Sequence, residues 1–318
     1  MLDGTPRQPI SPQEAGFQAP KPSDITLPRA DIILPPTVPQ TALDIWGPPA
    51  IRIHRVDGEG ENARGFLTVT PELVRWARSV PTLDTFQNGV GSFTADLQTT
   101  GHFDGLLQEF KPTPGHYSER AGVTTAVLSA YNLTLEEFRQ KYDVFVVSSE
   151  TVNFEGVVRK GDTAEFTAET QGAGVDGVYA DIKGKRGGQD VISMKRVRFE
   201  RVPKNEEVLP FDEIDEAAIQ FIATAAMGTG GLPVDAEGKP LKVGVFKKIA
   251  GAEYYRPVRV GDVLQIIPQG LQIRPMGDVV IVASGATVLN QRDELVTSYK
   301  RTQAGLIPFE QAQTLFAA

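Results

Sequence analysis

The chain has 318 residues, no cysteine and three histidines, His54, His102 and His116. That composition excludes disulfides, thiolate metal sites and cysteine nucleophiles, and leaves little for a metal centre. With 32 basic against 40 acidic side chains the formal charge is −8, which argues against nucleic acid or an anionic membrane as partner because nothing supplies a basic face.

The opening "MLDGTPRQP" lacks the basic and apolar regions of a signal peptide, and no apolar run approaches membrane-spanning length. A cytoplasmic protein is the expectation. Residues 1–40 hold 9 of the 23 prolines and read as an extended linker or arm. Ordered structure is expected from "DIWGPPAIRIHRV" (44–56), whose end alternates like a strand, with His54 as a strand residue.

An internal repeat follows. "FEGVVRKGDTAEFTAE" (154–169) and "YYRPVRVGDVLQIIPQ" (254–269) align without a gap, matching Phe154 to Tyr254, Val158 to Val258 and Gly161-Asp162 to Gly261-Asp262. Each copy is read as a strand, followed by a turn and two further alternating strands. One helical stretch precedes each: "SERAGVTTAVLSAYNLTLEEFRQKY" and "DEIDEAAIQFIATAAMG". Tyr254 and Tyr255 are expected to pack on the second helix. A helix followed by an antiparallel meander, twice, predicts an α+β fold with halves near 41–202 and 203–318. "GAGVDG" (172–177) fits G-x-G-x-x-G, but strands flank it on both sides, so it reads as a hairpin turn rather than a dinucleotide loop.

The second helix begins "FDEIDEAAIQF" (211–221). Acidic groups favour the positive end of a helix dipole, which explains Asp212, Glu213, Asp215 and Glu216 without chemistry. On that account the four are interchangeable. Glu216 and Gln220, four residues apart, share a helix face and form a candidate reactive pair.

The duplicated helix and sheet, the "RPVRVGD" segment, "AIRIHRVDGEGENARGFLTVTPELV" (50–74) and "EAAIQ" (216–220) together resemble the double hotdog of 3-hydroxyacyl-thioester dehydratases. Dehydratase domains of polyketide and polyunsaturated fatty acid synthases belong to that family. The resemblance covers about 45–310 and leaves "ARSVPTLDTFQNGVGSFTADLQTT" (77–100) as an insertion. It implies a catalytic histidine just ahead of a Pro-Gly that opens the first helix. His102, upstream of Pro114-Gly115, is the match, and His116, immediately after that Pro-Gly, is the alternative base.

What the resemblance implies is elimination of water from an acyl chain carried by acyl carrier protein or coenzyme A, with no cofactor and no metal. A neutral imidazole suits removal of the C2 proton. The departing hydroxide needs a proton, and a carboxyl in an apolar slot, here Glu216, is held ready to supply it. Gln220 would orient that carboxyl or bind the departing water. The Gly115 N–H at a helix start would stabilise the developing charge on the thioester oxygen. Two further readings stand beside this one: a non-catalytic hotdog that binds acyl chains or scaffolds a synthase, and a hotdog thioesterase. Two halves in one chain complete a site without a second copy, and a homodimer or a larger synthase is equally compatible.

Overall fold

The structure, a computed structural model, describes residues 53–57, 64–68, 84–94, 115–159, 161–174, 177–205, 207–209, 211–226 and 241–311. The chain divides into Met1–Ala30 and Asp31–Ala318, and every described residue belongs to the second unit. The proline-rich segment 1–40 and His102 lie outside the described residues.

Two short hairpins come first, β1 (Ile53–Asp57) with β2 (Arg64–Thr68), and β3 (Thr85–Gln87) with β4 (Val90–Thr94). Helices α1 (Gly115–Tyr131) and α2 (Leu135–Lys141) precede β5 (Tyr142–Phe154), which pairs with the last strand of a three-stranded meander of β6 (Thr163–Gly174), β7 (Gly177–Arg186) and β8 (Gln189–Pro203). After the short strand β9 (Val208–Leu209), helix α3 (Phe211–Ala226) leads into the second half. There β10 (Lys242–Tyr254), β12 (Val263–Met276), β13 (Val279–Leu289) and β14 (Leu295–Pro308) repeat this arrangement, while β11 (Val258–Arg259) pairs with β9.

All the long strands join one antiparallel sheet, ordered β1-β2-β12-β13-β14-β10-β5-β8-β7-β6-β4-β3. The halves meet where β10 runs beside β5. Helix α1 packs on β4 to β8, α3 packs on β10, β12, β13 and β14, and the two helices touch each other. A sheet wrapped around one long helix, duplicated in one chain, is a double hotdog, the expected α+β class.

The repeat has a local physical basis. Gly161 and Gly261 both have positive φ, +88° and +92°, a region that a Cβ disfavours. Asp162 and Asp262 each accept from the backbone N–H three residues back, Arg159 at 2.9 Å and Arg259 at 2.8 Å. The segments 154–169 and 254–269 are thus not single strands, as their alternation suggests. Each is a strand end, a tight Gly-Asp turn and the start of the next strand. Matching bulges, between Val146 and Ser148 in β5 and between Phe246 and Lys248 in β10, bend the sheet at equivalent places.

Two further expectations change. The long first helical stretch is two helices. Helix α1 stops at Asn132, in the left-handed region (φ +51°), with Leu133 N–H bonded to the Leu128 carbonyl at 3.0 Å. Thr134 and Glu137 then form a reciprocal capping box that starts α2. Within the stretch 77–100, expected as an insertion, the described residues 84–94 form the β3–β4 hairpin, which turns on Asn88-Gly89 (φ +52° and +77°) and pairs β4 with β6. Its counterpart in the second half is β1–β2, whose β2 pairs with β12. Strands β1 and β2 therefore extend the sheet of the second half, although they precede the first half in the chain.

Packing between helix and sheet is close. Phe166, Phe199, Ile182, Ile192 and Met194 are fully buried, each contributing about 1.5–3 kcal/mol by leaving water. A Cβ on Gly122 of α1 would sit 2.9 Å from Ile182 Cγ2, so the helix lies on β7 at a distance only glycine permits.

Candidate active site

The first turns of α1 and α3 face one another, and their polar side chains are sealed from water. His116, Glu119 and Arg120 come from α1; Asp212, Glu213, Asp215 and Glu216 come from α3. None of the seven is more than 7 % exposed. The four carboxylates of α3 are therefore not a solvated helix start, and each has its own surroundings.

Three pairings organise the cluster. His116 Nδ1 contacts Glu216 Oε2 directly, while His116 Nε2 lies 3.6 Å from Glu213 Oε1. Arg120 donates to both oxygens of Asp212, at 2.8 to 3.1 Å, and its Nη2 is 3.7 Å from Glu213. Glu119 is hydrogen-bonded to Asp215, which also accepts from the phenols of Tyr254 and of Tyr299, the latter at 2.5 Å.

These pairings obey the internal symmetry. His116 and Asp212 are each the second residue of their helix, Glu119 and Asp215 the fifth, and Arg120 and Glu216 the sixth. Exchanging the helices turns His116–Glu216 into Asp212–Arg120 and leaves Glu119–Asp215 on itself. The duplicated fold thus carries two equivalent pairs, one a titratable imidazole with a carboxyl and the other a fixed ion pair. The phenols of Tyr254 and Tyr299 break the symmetry. By strand register their equivalents are Phe154 and Met194, which donate nothing.

Burial and charge set the protonation. Glu119 is pushed well above the ordinary carboxylate range, by burial first and then by the charges of Asp215 and Asp212. Burial raises Asp215 to about 7, against the opposing pull of the two phenols. It also raises Asp212, with Arg120 opposing, and the Arg120 guanidinium is held charged by Asp212 and Glu213. Tyr254 and Tyr299 are pushed well above their usual range by burial and by Asp215. His116, Asp212 and Glu213 each bring one ligand-type atom to within 4.8 Å of the others. Arg120 already claims both oxygens of Asp212 and supplies the balancing positive charge, so we read the group as an ion-pair network.

Of the residues singled out from sequence, His116 and Glu216 are brought together. Gly115 is the first residue of α1, where a Cβ would meet Phe154 Cδ1 at 2.8 Å. Gln220 lies in α3, one turn beyond Glu216. Tyr254 packs against α3, whereas Tyr255 points outward, 42 % exposed. Glu119, Arg120 and Tyr299 escaped sequence reasoning. The only available signal was that "SER" falls on the helix that opens the first half.

No protein-family model and no curated protein matches this sequence. Among solved structures the chain is similar to an acyl-CoA thioesterase II, TesB2, from Mycobacterium marinum. That match has 13% identity and TM-score 0.41, over 74% of this chain and 99% of that one. It is similar also to the dehydratase domain of PpsC from Mycobacterium tuberculosis (11%, TM-score 0.39, covering 72% and 99%). The 12:0-ACP thioesterase from Umbellularia californica is a third (13%, TM-score 0.38, covering 68% and 92%). Likenesses at this level do not choose between activities. The double hotdog stands on the chain's own sheet and helices. Among the described residues no helix is long and apolar enough to cross a membrane.

Proposed function

We propose that the chain removes water from 3-hydroxyacyl thioesters, borne by acyl carrier protein or coenzyme A, to give 2-enoyl thioesters. The observation that carries this reading is the contact between His116 and Glu216 across the seam of the two halves. In this reading His116, rather than His102, is the base. The imidazole takes the proton from C2, the C3–O bond breaks, and the Glu216 carboxyl delivers its proton to the departing hydroxide as water. Imidazolium and carboxylate are left side by side, and one proton transfer along their hydrogen bond restores both. In this reading the N–H of Gly115, the first residue of α1, stabilises negative charge on the thioester oxygen.

A second reading is favoured by the near-complete burial of the pair, His116 at 1 % and Glu216 at 3 %. On that reading the cluster locks the helices together in a non-catalytic domain that binds acyl chains or scaffolds a synthase. Incubation with 3-hydroxyacyl-CoA, followed by mass spectrometry, separates the possibilities. Loss of water supports the dehydratase, release of free acid supports a thioesterase, and neither supports the binder. For the dehydratase, His116→Ala lowers turnover at least ~10²-fold, Glu216→Gln abolishes it, and His102→Ala does much less. The reverse ranking of the histidines moves the base to His102.

A further inference from the structure

Glu119 and Asp215 are used by none of these steps, yet they sit on the axis relating the two halves. Two carboxyl groups form a hydrogen bond only when one of them carries a proton. Glu119 Oε2 is buried and receives no hydrogen bond among the described residues, so a charge placed there is unsolvated. Asp215 by contrast accepts from two phenols, one on β10 and one on β14. Those donors favour the anion on Asp215, and the equivalent positions beside Glu119, Phe154 and Met194, offer none.

We propose that Glu119 is held as a neutral carboxylic acid that donates its proton to Asp215, and that this bond positions the helix starts so that Glu216 meets His116. The second part rests on the reading of that pair as reactive; the first does not. Asp215 precedes Glu216 in the chain, and anchoring its carboxyl to β10, β14 and α1 fixes the first turn of α3. The charged groups facing Glu119 agree with this arrangement. Asp215 and Asp212 on α3 raise its proton affinity, Arg120 on α1 lowers it, and burial outweighs all three. His116, Glu213 and Glu216 complete the cluster, and Tyr254 and Tyr299 close it from the sheet.

Infrared difference spectroscopy tests the protonation without reference to activity. The wild type at pH ~9, above the value of about 7 to which Asp215 is raised, shows the carbonyl band of a protonated carboxyl, and Glu119→Gln lacks it. No such band in the wild type, or its persistence in Glu119→Gln, overturns the proposal. The double variant Tyr254→Phe/Tyr299→Phe gives an independent check. Removing the phenols makes Asp215 a poorer anion, so the band persists to higher pH; an unchanged pH of disappearance also overturns it. Positioning is read from rescue. The glutamine amide still donates to Asp215, so Glu119→Gln keeps turnover near wild type, whereas Glu119→Ala loses up to ~10²-fold through misplacement. Equal losses in both variants overturn the positioning role. A wild type that shows the band but dehydrates nothing defeats the functional reading and leaves the protonation standing.

Discussion

Arg120 and Glu216 occupy equivalent positions on the two helix starts, and each reaches across the seam to the second residue of the opposite helix. One duplicated framework thus holds opposite charges at matching places. The permanent charge of Arg120 closes one pair, while the other pair sets an imidazole against a carboxyl.

The closed pair has a stability signature. Asp212 is fully buried beside Glu213, so Arg120→Met strands it without its cation and should cost ~3–5 kcal/mol. Replacing both partners, Arg120→Met with Asp212→Leu, should recover most of that loss. Urea denaturation of the two single variants and the double decides it. Additive losses would mean that the residues are not coupled.

Asp215 predicts how stability depends on pH. Its carboxyl binds a proton up to about pH 7 in the folded chain, against about 3.9 when unfolded. The native state therefore holds the extra proton. The stabilisation is complete below pH ~4 and disappears as pH rises through about 7. Relative to Asp215→Asn, the wild type should lose stability between about pH 4 and pH 7 in chemical denaturation. A constant difference across that range would be inconsistent with the raised affinity.

The helix–sheet contact predicts the cost of two methyl groups. A Cβ on Gly184 would lie 2.6 Å from Phe166 Cε1 and 2.8 Å from Ile192 Cγ2, so Gly184→Ala should cost ~1–3 kcal/mol through overpacking. Gly122→Ala makes a similar clash with Ile182 but gains up to ~1 kcal/mol of helix propensity. Its net effect should be smaller. Thermal denaturation with both variants side by side gives the ranking.

The Gly-Asp turns test the internal symmetry. Both glycines lie near φ +90°, so Gly161→Ala and Gly261→Ala should each cost ~1–2 kcal/mol. Losses that differ by more than a factor of two would mean that the turns are not energetically equivalent. Denaturant midpoints measure this directly.

Much of the scaffold is legible in the sequence, because alternation and the Gly-Asp turn act over short distances. The ungapped match of 154–169 to 254–269 locates both copies of the turn. Two signals of similar strength were missed: Asn88-Gly89 marks the β3–β4 hairpin within a stretch read as an insertion, and Thr134-x-x-Glu137 marks the start of α2 within a stretch read as one helix. The site is less legible, because its burial is created by the opposite half. Glu119 and Arg120 read locally as an exposed helix face, and only the docking of α3 removes them from water. Tyr299 reaches Asp215 from the last strand, a meeting that no short-range pattern records. The four acids of "DEIDE" look interchangeable on paper, yet in space each has a different task.

The hairpin β1–β2 gives the chain an order in time. Among the described strands it is made first, yet the strand it pairs with belongs to the far half, so Thr68 must wait for Val263. Until then its free edge is open to wrong partners, including the same hairpin on a neighbouring nascent chain. Once the late strand arrives, the ends of the fold are sewn together. The β2–β12 ladder thus joins one of the earliest described strands to one of the later ones.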